Sequence, residues 1–418
     1  MPLLPIAIIA DDLTGAADTA ARLVRPRRPV PVSLGAEPRA VEGRSAFAVT
    51  TDSRGCSPDV ARDRVLAAAR SALRQGARLV YKKVDSNLRG NIGAELAALR
   101  EAGLGPIVLA PAFPARGRTT VNGVALIEGI PVAETEMGRD AEAPVLHSAI
   151  RQLLSAQRPT LRTTHIPLAA LRADQRALGG ALVGCDVVIC DAETDADLNL
   201  IAEAALALAE PPVLAGSAGL AGAAAARLLG PAVRAEWPEG RSRPVLAVLA
   251  TSSERLPRQV RAASGAAVPV PLQCASFTWE DELLPELSSA IAQAVAALRA
   301  GSDALVYATG PLPDVENPVG LVVEHLAHLA FVVVRQATPA ALLVGGGSTA
   351  QAVLAALGTS VIEVDDEPLS GLSAGIALGG ELDGRPVALK PGAAGGDTAV
   401  AELLHYLGRR ALALEAKA

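Results

Sequence analysis

Aromatic residues are nearly absent from this 418-residue chain: two Trp, three Tyr and four Phe make up 2% of it. A core without large rings has to be filled by Ala, Val and Leu, and an apolar share of 50% supplies them. Cysteine is just as scarce. Cys56, Cys185, Cys190 and Cys274 form no C-x-x-C pair, which excludes a disulfide scaffold and leaves reduced packing residues. Of only five histidines, His325 and His328 stand at i, i+3, and two ligands do not complete a zinc site. No basic tract interrupts a net charge of −6, so neither nucleic acid nor a membrane surface is an expected partner. The opening M-P-L-L-P-I-A-I-I-A has no basic n-region, and no later apolar run reads as long enough to span a bilayer. A cytoplasmic protein is therefore expected.

What is present is a repeated strand-then-helix order in a chain long enough for two domains. Ile6 to Ile9 form an apolar run that stops at Asp11 and Asp12 and passes through Gly15 into an alanine-rich helix that Thr14 is placed to cap. In open α/β sheets ligands bind at that end of a strand. The two acids are either ligand-facing or a helix cap and a solvated neighbour. Three further strands, 46–54, 78–84 and 106–111, also end in polar clusters: T-D-S-R, D-S-N-L-R-G-N-I-G and A-F-P-A-R-G-R-T-T-V-N-G. Between 130 and 178 the pattern weakens, with helices expected near 146–154 and 168–178. The order favours an α/β fold with a mostly parallel sheet flanked by helices in each domain. The domain limits read as 1–230 and 245–418, joined by a linker at 231–244 rich in Pro, Gly and charge.

Two glycine-rich turns mark the second domain. Gly345-Gly346-Gly347-Ser348-Thr349 lies between a strand and an alanine-rich helix and has the form of a phosphate cradle, although it is not a Walker A loop. L-K-P-G-A-A-G-G-D repeats the device. There Lys390 is suited to hold phosphate as a point charge, or else is a solvated strand-end charge, and Gly392 frees the backbone. Together the two turns suggest a mononucleotide site. G-S-A-G-L-A-G, at 216–222, fits the dinucleotide fingerprint imperfectly and leaves a dehydrogenase as one competing reading.

Several stretches, in order along nearly the whole chain, resemble the four-carbon acid sugar kinases: A-D-D-L-T-G-A-A-D, T-D-S-R, K-K-V-D-S-N-L-R-G-N-I-G, A-P-A-F-P-A-R-G-R-T-T-V-N-G, G-S-A-G-L-A, G-G-G-S-T-A and L-K-P-G. The resemblance implies an N-terminal domain for the sugar acid and a C-terminal domain for ATP, with phosphoryl transfer in the interdomain cleft. On that basis Asp11, Asp12, Arg54, Lys83, Asp85 and Arg89 are substrate-side residues. Ser253, Gly346, Gly347, Ser348, Thr349, Lys390 and Gly392 are nucleotide-side residues. K-V-D-S-x-L-R-G-N-I-G looks closer to threonate and erythronate kinases than to 3-oxo-tetronate kinases.

Phosphoryl transfer needs a positioned hydroxyl, a base and cations around the γ-phosphate. Asp12 is the first choice of base and Asp85 the second, while Arg54 or Arg89 would hold the substrate carboxylate bidentately. Mg²⁺ would bridge the phosphates. The expected reaction is ATP-dependent phosphorylation of the terminal hydroxyl of D-threonate or D-erythronate. The partners are a sugar acid and ATP, with homo-oligomerisation left open. A non-catalytic sugar-acid sensor is the other competing class, disfavoured because a sensor needs no ATP site.

Overall fold

The computed structural model describes residues 6–35, 44–140, 142–231, 242–251, 253–275, 277–279, 285–392 and 394–416. The chain divides into two compact units, Met1–Val233 and Arg234–Ala418. Most of the expected linker lies outside the described residues.

The first unit begins β1 (Ile6–Ala10), α1 (Leu13–Leu23), β2 (Val30–Ser33), β3 (Ala46–Thr50), α2 (Pro58–Arg74), β4 (Leu79–Lys83), α3 (Ile92–Glu101) and β5 (Ile107–Ala110). A small antiparallel sheet follows, made of β6 (Arg118–Val121), β7 (Val124–Ile127) and β8 (Ile130–Pro131). The unit ends with α4 (Ile150–Gln157), β9 (Thr163–Ile166), α5 (Leu168–Ala173), α6 (Ala177–Leu182), β10 (Val187–Cys190), α7 (Asp195–Leu206), β11 (Val213–Gly216) and α8 (Ala218–Leu229). The main strands run β2-β3-β1-β4-β11-β5-β10-β9, every neighbouring pair parallel. Covered on both faces, they read as continuous apolar runs, and β1 and β3 are buried throughout. The chain leaves β1 toward β2 and β3 on one side, then crosses to β4 on the other. That reversal opens a crevice beyond the carboxyl ends of β1, β3 and β4.

Helix α1 carries Asp12 at its front end, and Arg25 secures its back end. The Arg25 guanidinium donates to Arg22 O and Val24 O behind α1, and to Ala225 O and Gly230 O behind α8, at 2.6–3.0 Å. A cation there answers the orphan carbonyls and the negative dipole ends of both helices.

Strand alternation separates two adjacent lysines of β4. Lys82 is completely buried and pairs with Glu95 of α3 at 2.8 Å. Burial raises the Glu95 carboxyl, and Lys82 only partly offsets it. Ser53 donates to the same carboxylate at 2.5 Å, so the pair also fixes the segment after β3.

The second unit runs β12 (Val245–Leu249), α9 (Leu256–Ala263), β13 (Ala267–Gln273), α10 (Pro285–Arg299), β14 (Asp303–Thr309), α11 (Pro318–Ala337), β15 (Ala341–Gly345) and α12 (Gly347–Ala356). It closes with β16 (Val361–Leu369), β17 (Leu372–Leu378), β18 (Pro386–Lys390) and α13 (Ala399–Glu415). Its strand order is β13-β14-β12-β15-β18-β17-β16. The stretch from β13 to β18 is parallel, while β17 runs antiparallel to both β18 and β16. Chain direction reverses again at β12, so the turns after β12 and β15 flank a second crevice.

Four features differ from the sequence expectation. The helix expected at 168–178 is two short ones, because the Asp174 carboxylate accepts from Arg176 N and turns the chain. The T-T-V-N-G cluster is a hairpin, with Asn122 and Gly123 both at positive φ in the turn between β6 and β7. Pro269 and Pro271 hid β13, which tolerates them at the sheet edge. Finally, α11 is long and apolar enough, by length and composition, to cross a membrane. It packs against α10 and α12, burying Leu321, Leu326, Leu329 and Val333.

Removing one partner of the Lys82–Glu95 pair strands a buried charge. Glu95→Gln or Lys82→Met is expected to cost roughly 3–5 kcal/mol. The double variant K82M/E95L should recover most of that loss in urea unfolding, and an exactly additive double variant would show that the two groups do not interact.

Candidate active site

In the first unit the carboxyl ends of β1, β3 and β4 bring the six expected substrate-side residues together. Arg54, which follows β3, donates from Nε to Asp11 Oδ2 at 2.7 Å and from Nη1 to Asp12 Oδ2 at 3.0 Å, and its Nη2 lies 2.9 Å from Asp12 Oδ1. Asp12 is itself the N-cap of α1, accepting from Gly15 N at 2.9 Å and from Thr14 Oγ1 at 2.6 Å. The expected cap, Thr14, is thus a donor to the real one. Cap and ligand-facing acid were alternatives in the sequence; here one carboxylate at the crevice does the capping. Gly15 makes room for this, since a Cβ there would strike Asp12 Oδ1 and lie 3.0 Å from Lys83 Nζ.

Charge compensation governs these groups. Burial pushes Asp12 up, but Arg54, Lys83 and the Thr14 hydroxyl outweigh it and hold the carboxyl below its ordinary range. Asp85 is held far down in the same way: burial is opposed by Arg89, Arg54 and Lys83. Arg89 lies 2.6 Å from Asp85 and 3.1 Å from Asp140. Lys83 donates to Val84 O at 2.8 Å. Both arginines named for the substrate carboxylate are therefore already engaged with protein carboxylates. Asp140, Glu95 and Lys82 were missed. Asp140 lies in the stretch of weak pattern, whereas a lysine pair closing a strand was a readable signal that one of them faces the core.

In the second unit β12, β15 and β18 are neighbours, and their ends gather the nucleotide-side residues. Gly346 N donates to Lys390 O at 3.0 Å, and Ala250 N to Gly345 O at 3.0 Å. Gly346 has φ 104°, and a Cβ there would collide with Ala250 O, so only glycine fits the turn. It is the N-cap of α12, and among the described residues no side chain caps that helix. Gly347, Ser348 and Thr349 form the first turn, whose N–H groups and dipole favour an anion. Ser253 N donates to Thr251 Oγ1 at 3.2 Å, and Gly392 lies against that threonine. Lys390 is 1% exposed and donates to Gly392 O at 2.7 Å. Burial, with Arg255 adding to it, lowers the amine to about 8. The solvated strand-end reading of Lys390 fails on that burial. Gln259, buried in α9 and also missed, holds the following loop by donating to Ala394 O, Gly395 O and Gly396 O.

Comparison with known proteins follows the same division. Residues 6–224 match the family described as "Sugar-binding N-terminal domain" and residues 246–400 the one described as "Nucleotide-binding C-terminal domain". The D-threonate kinase of Salmonella typhimurium is 31% identical over 427 residues, covering 96% of this chain and 97% of the relative. The chain belongs to the four-carbon acid sugar kinase family. The D-erythronate kinase of Heliobacterium modesticaldum is 30% identical, with 96% and 97% covered. A solved Salmonella typhimurium structure shares the fold at TM-score 0.76 and 22% identity, over 96% of this chain and 98% of that one. Like its relatives in the family, this chain is an ATP-dependent kinase.

A four-carbon acid sugar kinase has no use for the dinucleotide reading of G-S-A-G-L-A-G, and local geometry explains the motif otherwise. Ser217 is fully buried, caps α8 through Gly219 N at 3.0 Å and donates to Ala112 O at 2.5 Å. That helix end is satisfied internally, whereas the α12 end has no side-chain cap among the described residues. Of the histidines, His325 stacks on Phe277 at 4.6 Å, and no group of three or more His, Cys, Asp or Glu able to hold a metal occurs among the described residues.

The Lys390 amine yields a pH prediction for the ligand-free enzyme. Its folded value of about 8 lies below the ordinary 10.5. Between those values the unfolded chain binds more protons, so stability rises with pH. Below pH 8 the cost of the buried charge is fully felt. Wild type is expected to gain unfolding free energy from pH 8 toward 10 relative to Lys390→Met. A difference between the two proteins that does not vary with pH would show that Lys390 does not titrate in this window.

Proposed function

We propose that the enzyme transfers the γ-phosphoryl group of ATP to the terminal hydroxyl of D-threonate or D-erythronate. The observation that carries the reading is Asp12: an ionised, buried carboxylate at a helix N-terminus, gripped by Arg54 at the carboxyl edge of a parallel sheet. The substrate class comes from the names of the relatives.

In this mechanism the first unit binds the sugar acid and the second binds the nucleotide. The α12 N-terminus and the Lys390 ammonium receive the phosphates, with Ser253 and Gly392 alongside. Asp12 accepts the hydroxyl proton late, as the bond to phosphorus forms. A carboxylate held below its ordinary range is ionised at neutral pH and ready as an acceptor throughout. Arg54 fixes its orientation, and Lys83 offsets the charge of both Asp12 and Asp85. Asp85, with Arg89, is the alternative base.

A Mg²⁺ ion fits this donor set. Such an ion would need no cluster of protein carboxylates, since it binds chiefly through phosphates and water, and the Ser348 and Thr349 hydroxyls would be the hard oxygen donors nearest it at the cradle. When bound, it neutralises charge building on the β- and γ-oxygens.

ADP release is expected to require both ATP and a C4 acid in a coupled assay over D- and L-threonate, D- and L-erythronate and 3-oxo-tetronates. Asp12→Asn should lower kcat by at least 10²-fold with KM for ATP little changed. ATP turnover indifferent to every acid would overturn the function, and full activity of the variant would return Asp12 to a purely capping role.

A further inference from the structure

Among the described residues, Arg118 at the crevice of the first unit forms no ion pair with a protein carboxylate. Arg54 is taken by Asp11 and Asp12, Arg89 by Asp85 and Asp140, and Arg116 sits over the Phe113 ring at 4.9 Å with Asp18 at 3.8 Å. Among the described residues Lys83 has no close ion pair either, but its charge lowers the carboxyls of both Asp12 and Asp85. Arg118 differs. Among the described residues the single hydrogen-bond partner of its guanidinium is Ser86 Oγ, at 3.0 Å from Nη1, and its buried Nε has none. Burial pulls its guanidinium down to about 10; Asp85 and Asp18 oppose the shift, Arg116 and Arg89 add to it.

Nothing about its placement is loose. Phe113 N donates to Arg118 O at 2.7 Å and Arg118 N returns the bond to Phe113 O at 3.2 Å, which pins the start of β6 to the chain leaving β5. Its anchor, Ser86, lies in the same turn after β4 as Asp85. The next residue, Asn87, is buried, and its Oδ1 has no hydrogen-bond partner among the described residues. A guanidinium fork and an unused acceptor thus stand on the rim of the turn that carries Asp85. Leaving such groups without partners costs free energy that a ligand of matching chemistry returns on binding.

We infer that Arg118 is the residue that receives the substrate carboxylate, with Ser86 orienting it and Asn87 Oδ1 accepting a substrate hydroxyl. The inference rests on the proposed function and replaces Arg54 and Arg89 in that role. Those two hold the carboxylates of the reacting end, whereas C1 of a four-carbon acid is the end remote from the hydroxyl that is phosphorylated. The planar fork matches a carboxylate bidentately, and a lysine in its place would keep the charge and lose the match.

The test compares wild type with Arg118→Gln, Arg118→Lys and Ser86→Ala, using D-threonate and D-threonamide, the same molecule with the carboxylate replaced by a neutral amide. Steady-state kinetics with ATP gives KM and kcat for the acid, and competition against it gives Ki for the amide. Arg118→Gln is expected to raise KM for D-threonate roughly 10- to 100-fold. KM for ATP should stay within about twofold, and the variant should no longer favour acid over amide. Arg118→Lys should fall between the two, and Ser86→Ala should raise KM for the acid several-fold. An Arg118→Gln enzyme that still prefers the acid, or that loses kcat at unchanged KM, would overturn the assignment and make Arg118 a residue of the transfer step. Wild type inactive on every C4 acid would instead overturn the proposed function. If Arg118→Gln does not fold, as judged by its thermal transition, the acid-to-amide preference of Arg118→Lys and Ser86→Ala decides: an unchanged preference in both rejects the inference.

Discussion

Arg54 holds Asp11 and Asp12 in one guanidinium fork, and the arrangement of the acidic groups in the first unit's crevice depends on that grip. Two adjacent carboxylates buried at a strand end repel one another and resist ionisation. A planar cation bonded to both removes the repulsion, fixes their orientation and keeps Asp12 charged. It also links β1 to the segment after β3, whose other anchor is the Ser53 contact with the buried Glu95. A core ion pair and a crevice ion pair therefore share one short loop, and disturbance of either reaches the other through two residues.

The second unit solves the opposite problem. Its ligand is a polyanion, so the site needs uncompensated positive character before the nucleotide arrives. Among the described residues no side chain caps the α12 terminus at Gly346, and the Lys390 amine nearby donates to the Gly392 carbonyl. Burial loads that ammonium with a desolvation cost, and in the proposed mechanism a bound phosphate would offset it. The two crevices thus have contrasting electrostatics, densely paired in one and deliberately under-paired in the other, as suits an acceptor that must be oriented and a donor that must be drawn in.

Much of this arrangement was legible in the sequence, because apolar runs that halt at polar or glycine-rich turns are local signals, and each turn after β1, β3, β4, β12, β15 and β18 falls where such a run ends. Pairing was not legible. Arg89 has Asp85 four residues before it, a spacing the sequence displays, but nothing within a few positions reveals that Arg54 finds Asp12, 42 residues away, that Arg89 also reaches Asp140, 51 residues away, or that the Arg118 side chain meets Ser86. The same limit applies to Lys82 and Lys83: alternation says that they point apart, but only the approach of α3 makes one a core residue. Prolines masked β13, and the small hairpin was hidden because its Asn-Gly turn was read as part of a binding cluster.

The clasp of Arg25 on the carbonyl ends of α1 and α8 makes α1 a rod fixed at both tips, one by main-chain acceptors and the other by the grip on Asp12. Eleven residues at 1.5 Å rise give it a length of about 16 Å. Over that lever a tilt of about 4° carries the far tip about 1 Å, a displacement large enough to cost on the order of 10²-fold in rate when the tip is a reacting group. Rigidity at the quiet end of the helix is thereby a condition of precision at the busy end. Variation at Arg25, at the far end of α1 from Asp12, would surface as slow turnover in a protein that still looks well folded.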